Sequence, residues 1–291
     1  MNKIFRLFAV LLLLLAIGNN SYAQETISIP DTLNNEWAFG WVAGLNGTQS
    51  CYNHWSKGGQ DNIAVNGYSL FSGAYKKDRF EYGFVLNMRY GITKIEDEGT
   101  RKSDDRLAMR HRAAYILNDE NTMNAFADVN ISTQFDAGYT YNSDGTKTLI
   151  SDFMSPLYLT ESIGYAYTPK DYISFEAGLG LKQTYVKDDD LVSFFGIDPG
   201  DNLSSEGGLV LGISFKKDIM ENVNYTSRFE TFTNFKKSLE STDVAWANQL
   251  TGKINKYLNA TFQFEMLYDD DITKDLQTKQ VLAAGVLVNI F

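Results

Sequence analysis

Beyond residue 23, this 291-residue chain has no run of about 18 consecutive apolar residues, the length an α-helix needs to cross a bilayer. Any insertion into a membrane must therefore use strands. Cysteine is as scarce: Cys51 stands alone, which excludes an intramolecular disulfide. With only four prolines and no Ser/Pro-rich stretch there is no place for a linker, and the chain after its leader reads as one domain. Positive charge is in deficit, 26 Lys and Arg against 36 Asp and Glu, which argues against a nucleic-acid partner.

What is present begins with a secretory leader. Lys3 and Arg6 supply positive charge, Leu7 to Ile17 form an apolar run, and Ser21-Tyr22-Ala23 offers small residues around a cut before Gln24. The expected organisation is a signal peptide over 1–23, a short lead over 24–36 and a barrel over 37–291. The apolar run is too short for a spanning helix, and no Cys follows the cut to take a lipid anchor. Loss of Lys3 and Arg6 makes the mature chain two units more negative than the full chain's formal charge of −10.

Residues 80–93 carry strict period two: Phe80, Tyr82, Phe84, Leu86, Met88, Tyr90 and Ile92 alternate with Glu81, Asn87, Arg89 and smaller residues. At roughly 3.3 Å per residue and a tilt near 40°, such a strand rises about 30 Å, the thickness of a bilayer's hydrocarbon. The same alternation predicts strands over 123–141 and 257–268, and in weaker form over 37–46, 63–75, 106–116, 157–167, 173–186, 207–216, 223–233, 244–254 and 281–291. The expected fold is all-β: a transmembrane antiparallel up-and-down β-barrel of about 12 strands. An even number closes without an exposed edge and puts both termini on one side.

Short turns near 76–79, 117–122, 168–171, 217–222 and 255–256 alternate with longer loops near 47–61, 94–105, 142–156, 187–206, 234–243 and 269–279. That is the sidedness of bacterial outer-membrane barrels, whose long loops face outside. Tyr82, Tyr115, Tyr167, Phe175, Phe215 and Tyr257 near the short turns, and Tyr90, Tyr139, Tyr185 and Tyr268 near the long loops, form two belts around an aliphatic band. Outer-membrane lipid and lipopolysaccharide are the expected surroundings. The chain ends on Phe291 and resembles the terminal-aromatic signal read by the barrel-assembly machinery, which implies that machinery as a partner. Two registers stay open for this last strand: Asn289, Leu287, Gly285 and Ala283 share a face with Phe291, but Ile290, Val288, Val286 and Ala284 are the more apolar set.

Trp55-Ser56-Lys57-Gly58-Gly59, Tyr90-Gly91 with Arg101-Lys102-Ser103-Asp104-Asp105, and Thr133-Gln134-Phe135 with Gly138-Tyr139 resemble an uncharacterised bacterial outer-membrane β-barrel family of the Bacteroidetes type, catalogued as a domain of unknown function. The resemblance runs from Trp37 through nearly the whole mature chain. It implies the barrel and brings no activity.

With apolar faces to lipid, the lumen receives Glu81, Arg89, Arg106, Arg110, Arg112, Asp128, Asp136, Glu176, Lys182, Lys216, Arg228, Glu230, Lys253 and Glu265. Arg89, Arg106, Arg110 and Arg112 are expected beside Asp128 and Asp136. Arg89, Arg106, Arg110, Arg112, Asp128, Asp136, Glu176, Lys182, Arg228 and Glu265 are the candidate pore-lining residues. Two readings stand: a passage sorting small solutes by charge, or charges that pair with one another and fill a lumen too slim to conduct, leaving a surface scaffold or envelope-assembly partner. Glu161 and His111 fall on apolar faces, where Glu161 carries a desolvation cost. A hydrolase needs a base for its serine, and only His54 and His111 are available; His54 adjoins Ser56 without forming a triad, so no catalytic residue is assigned. The runs 188–190 and 269–271 are acidic but lack EF-hand spacing, so neither a metal nor a cofactor is expected.

Overall fold

The computed structural model describes residues 27, 29, 33–50, 61–96, 98–142, 145–255, 258–269 and 271–289. The leader, Cys51, His54, the Trp55 to Gly59 motif, Tyr257, Ile290 and Phe291 lie outside them.

Among the described residues fourteen strands follow one another: β1 (Glu36–Ser50), β2 (Asn62–Lys77), β3 (Phe80–Ile95), β4 (Gly99–Ile116), β5 (Met123–Thr133), β6 (Gly138–Tyr141), β7 (Lys147–Ser151), β8 (Leu157–Lys170), β9 (Ile173–Tyr185), β10 (Leu203–Met220), β11 (Val223–Asn234), β12 (Asp243–Lys253), β13 (Leu258–Asp269) and β14 (Thr273–Asn289). Twelve of them close an antiparallel barrel in chain order, β6 and β7 forming a separate hairpin outside it. Each neighbour in the wall follows its predecessor directly except across that hairpin, where β5 pairs with β8.

Polarity is inside out relative to a soluble barrel. Ile163 is 63% and Leu282 76% exposed on the outer wall, while Arg110, Asp128 and Arg228 are only 6%, 6% and 8% exposed within. Aliphatic side chains turned outward and charges turned inward define a transmembrane barrel of the outer-membrane architecture, because lipid rewards the first arrangement and only a closed ladder satisfies the backbone there.

Three expectations need correction. The strand expected over 123–141 breaks after Thr133. Asp105 accepts hydrogen bonds from the backbone N–H of Phe135 (2.8 Å) and Asp136 (3.0 Å), drawing the chain off the wall, and β6 and β7 then turn back as their own hairpin. The loop expected over 94–105 is strand, with only a tight turn between β3 and β4. One residue, Ser103, is inserted in that ladder, since Gly91 pairs with Asp104 and Ile92 with Lys102. The bulge turns both Lys102 and Asp105 to the outer face. The loop expected over 269–279 is likewise largely β14. Hydrophobic alternation missed these extensions because strands beyond the lipid are polar on both faces.

In β14, Val281 and Ala283 line the interior while Leu282 and Ala284 are exposed, which settles the open register for this stretch: the even-numbered set faces lipid. The seam with β1 is short. Among the described residues the two strands pair from Val42 with Asn289 to Asn46 with Gly285; above that, Gly47 to Ser50 pair only with β2.

Candidate functional site: a lumen divided between ion pairs and amides

The inward residues of β4, β5, β9 and β11 form an ion-pair belt. Arg110 grips Asp128 with two nitrogens, Nε at 3.0 and 2.9 Å from the two oxygens and Nη2 at 2.6 Å. Arg112 Nη1 donates to Glu176 at 2.9 Å and to Asp128 at 3.3 Å, its guanidinium lying 4.1 Å from the centre of the Phe126 ring. Arg228 donates to Glu176 at 3.2 Å, to Glu230 and to Ser214. Glu176 thereby bridges arginines from β4 and β11. In a low-dielectric interior each of these charges is tolerable only because it is paired.

A second group stands across β3, β4, β13 and β14. Arg89 donates to Glu265 at 3.2 Å and approaches Asp104 at 3.6 Å; Asp104 also accepts from Lys279 at 2.7 Å and from Asn66 at 3.0 Å. Arg106, opposite Arg89 in the ladder, lies within electrostatic reach of Glu265. Toward the outer mouth, Lys182 holds Asp243 at 2.6 Å and Asp269 at 2.9 Å. Lys237, in the loop above, pairs with Glu206 at 2.9 Å and with Asp271. Partial burial works against its charge, but those hydrogen bonds hold its ammonium above the usual lysine range.

Of the candidate lining residues, then, Arg89, Arg106, Arg110, Arg112, Asp128, Glu176, Lys182, Arg228 and Glu265 face the interior. Asp136 does not. It sits exposed in the bend after β5, accepting from Tyr90 Oη at 3.1 Å and, through its carbonyl, from Lys102 at 2.5 Å. The bend displaces it from the alternation that placed it inside. Nor do the charges set up an open field, since each acid is met locally by a base. Glu81 pairs with Lys76 at 3.0 Å, while Lys253 is exposed at the short-turn end.

Beside the belt, β1 to β5 and β11 to β14 enclose a cavity of about 290 Å³. Its wall is rich in uncharged polar groups: Asn46, Asn66, Asn87, Asn130, Gln249 and Gln263. The phenol end of Tyr68 packs against Gly44, whose missing side chain leaves room for it, and shares a hydrogen bond with Asn259. Period two pointed to the inward faces, but Asp104 and Lys279 were hidden in presumed loops, and no sequence signal separates the cavity side from the belt side.

The long connection at 186–202 folds inward over part of the mouth. A short 3₁₀ helix, Asp189–Phe195, is capped by Asp188, and Val186, Leu191, Val192, Phe195 and Ile197 bury one another with help from Leu149 of β7 and Ile272. Phe195 and Gly196 join Tyr158, Lys182, Asp269 and Asp271 around a second cavity of about 180 Å³. The acidic runs have structural partners here: Asp188 accepts from Asp190 N and Asp189 from Asn202 Nδ2. Among the described residues no group of three His, Cys, Asp or Glu is placed to hold a metal ion.

His111 faces outward. Its Nδ1 is 2.7 Å from Tyr82 Oη and its Nε2 2.9 Å from Met109 Sδ. Glu161 is exposed on the same wall, one strand beyond Val129, between Val129 and Leu181 in the ladders.

Two families of unknown function match successive parts of the chain: "Protein of unknown function (DUF3078)" over residues 48–139 and "Protein of unknown function, DUF481" over 159–290. No curated protein matches. Among solved structures, an outer membrane channel from Pseudomonas putida F1 is 9% identical, with 94% of this chain and 100% of that one covered and a TM-score of 0.42. The outer membrane channel DcaP of Acinetobacter baumannii is 7% identical, with 91% and 99% covered and a TM-score of 0.36. The translocator domain of the autotransporter NalP from Neisseria meningitidis is 11% identical, with 87% of each chain covered and a TM-score of 0.35.

Proposed function

We propose that this chain is a narrow passive pore for small solutes in the outer membrane of a Bacteroidetes-type bacterium. One observation carries the reading: a cavity with asparagine and glutamine side chains on its wall lies beside the ion-pair belt instead of being filled by it. At ~30 Å³ per water, 290 Å³ holds about ten molecules. Buried polar atoms on its wall, Asn130 Oδ1 and Nε of Arg89 and Arg228, have no hydrogen-bond partner among the described residues. Such groups are satisfied by water or by a passing solute.

Lipopolysaccharide and outer-membrane lipid are the proposed surroundings of the apolar wall, and the assembly machinery the proposed reader of the strand that leads to Phe291. Catalysis has no part in this reading: both ring nitrogens of His111 are engaged by Tyr82 and Met109, neither of which is a serine. The roofed part of the mouth favours a second reading, a non-conducting scaffold whose loops meet a partner.

Single-channel recording separates the two. The refolded chain in a planar bilayer is expected to conduct steadily, and changing both Arg110 and Arg112 to Ala, which leaves Asp128 and Glu176 short of partners, is expected to shift selectivity toward cations. Silence from a folded, inserted barrel would favour the scaffold.

A further inference from the structure

The charged and the neutral groups around the larger cavity differ in what they still lack. Arg89, Asp104, Glu265 and Lys279 are matched to one another, as are Arg110 and Asp128, and Arg228 with Glu176 and Glu230. A charged solute gains little from groups already neutralised, and loses its own hydration on entry.

The amides are different. Asn46 and Asn87 make no side-chain hydrogen bond among the described residues, and Asn130 Oδ1 is a buried acceptor with no donor. Gln263 and Gln249 form a short chain ending on Thr251, at 2.8 and 2.9 Å. The ladders place three amides around Tyr68: Asn66, whose Nδ2 already donates to Asp104, shares its strand and face, the open Asn46 is paired with Asn66, and the open Asn87 lies opposite Leu70 on the next strand. Tyr68 rests its phenol end against Gly44 and lines the cavity.

An amide offers a donor and an acceptor side by side, and a hydroxyl is both donor and acceptor, so adjacent hydroxyls on a ring match a cluster of side-chain amides. The C–H face of the same ring packs on an aromatic surface. The open amides of Asn46 and Asn87, an aromatic ring on the wall and satisfied charges together select an uncharged, polyhydroxylated ring. We infer that the cavity is a binding site for a neutral sugar, centred on Tyr68 and flanked by Asn46, Asn66 and Asn87. The inference rests on the pore reading for how the sugar arrives, but the site itself does not require conduction.

The test pairs current with direct binding. Glucose and maltose, with gluconate and glucosamine as charged controls, are added to the full chain in planar bilayers and titrated calorimetrically against the detergent-folded barrel. Neutral sugars are expected to bind and interrupt the current, at least tenfold more strongly than either charged control, with Tyr68→Leu and, separately, Asn87→Leu each weakening binding tenfold or more. Asn87→Leu guards against a Tyr68→Leu barrel that fails to fold, which heat-modified gel mobility reports. A conducting pore that ignores neutral sugars, or treats the charged controls alike, overturns the sugar site and leaves the pore. A silent barrel that still binds them overturns the pore and leaves the site, and one that does neither overturns both.

Discussion

At the scale of single residues, the outer wall holds one carboxylate that the fold does not use. Glu161 is exposed among aliphatic neighbours, four residues below the Leu157–Tyr185 pair that marks the outer end of its ladder. Among the described residues it has no hydrogen-bond or ion-pair partner on that face, where Ile163 and Leu179 are its lipid-facing company. Glu161→Leu is therefore expected to stabilise the barrel by about 1 kcal/mol, less than the 2–4 kcal/mol typical of a basic residue at mid-bilayer. Reversible urea unfolding in phospholipid vesicles measures it; an unchanged or lower midpoint would mean that Glu161 has a partner in the membrane. Its position, and that of His111, was legible in the sequence because period two fixes the face of every residue in an unbroken strand. Asp136 was not, because the carboxylate of Asp105, some thirty positions earlier, ends the strand before it. A hydrogen bond between distant segments leaves no mark on local alternation.

That capture belongs equally to the scale of elements. Two motifs noted in the sequence, Lys102 with Asp105 and Phe135 with Gly138, meet at the outer rim: Lys102 bonds Asp105 at 2.8 Å and the carbonyl of Asp136, and Asp105 holds the chain at Phe135 and Asp136. Asp105→Ala removes the acceptor of two backbone N–H groups and is expected to cost about 2 kcal/mol. Because the hairpin lies outside the wall, the loss should appear as faster proteolysis at 134–152 with the barrel intact; equal protection in both proteins would refute the role. The 186–202 connection makes a different prediction. Its five buried apolar side chains form a small core of their own beyond the membrane. Phe195→Ala should loosen it by about 3 kcal/mol, the lower end for a buried phenylalanine. If the connection narrows the mouth, mean conductance in planar bilayers rises; an unaltered current with a loosened connection would show that solutes pass elsewhere. Composition gave no hint of this core, since its residues are spread through a stretch rich in Asp and Gly.

For the whole molecule, strand number and order were legible because a membrane-spanning sheet must close as an even antiparallel ladder. The uneven filling of the lumen was not, because both halves present polar residues at every second position. Which polar groups consume one another depends on side-chain reach between strands far apart in sequence, as from Arg89 to Glu265.

Closure itself is uneven as well. Every strand is zipped to its neighbours over long ladders except at the place where the two ends of the chain meet, and there the described pairing stops at Asn46 and Gly285. Hydrogen exchange should accordingly be fastest at those amides of 47–50 and 277–284 that point across the seam, and uniform slow exchange around the barrel would contradict this. A cylinder fastened like a partly closed zip yields from the free end of the fastener: on heating, the outward half of the seam parts first, and the wall unrolls as one intact sheet before any hairpin within it comes apart.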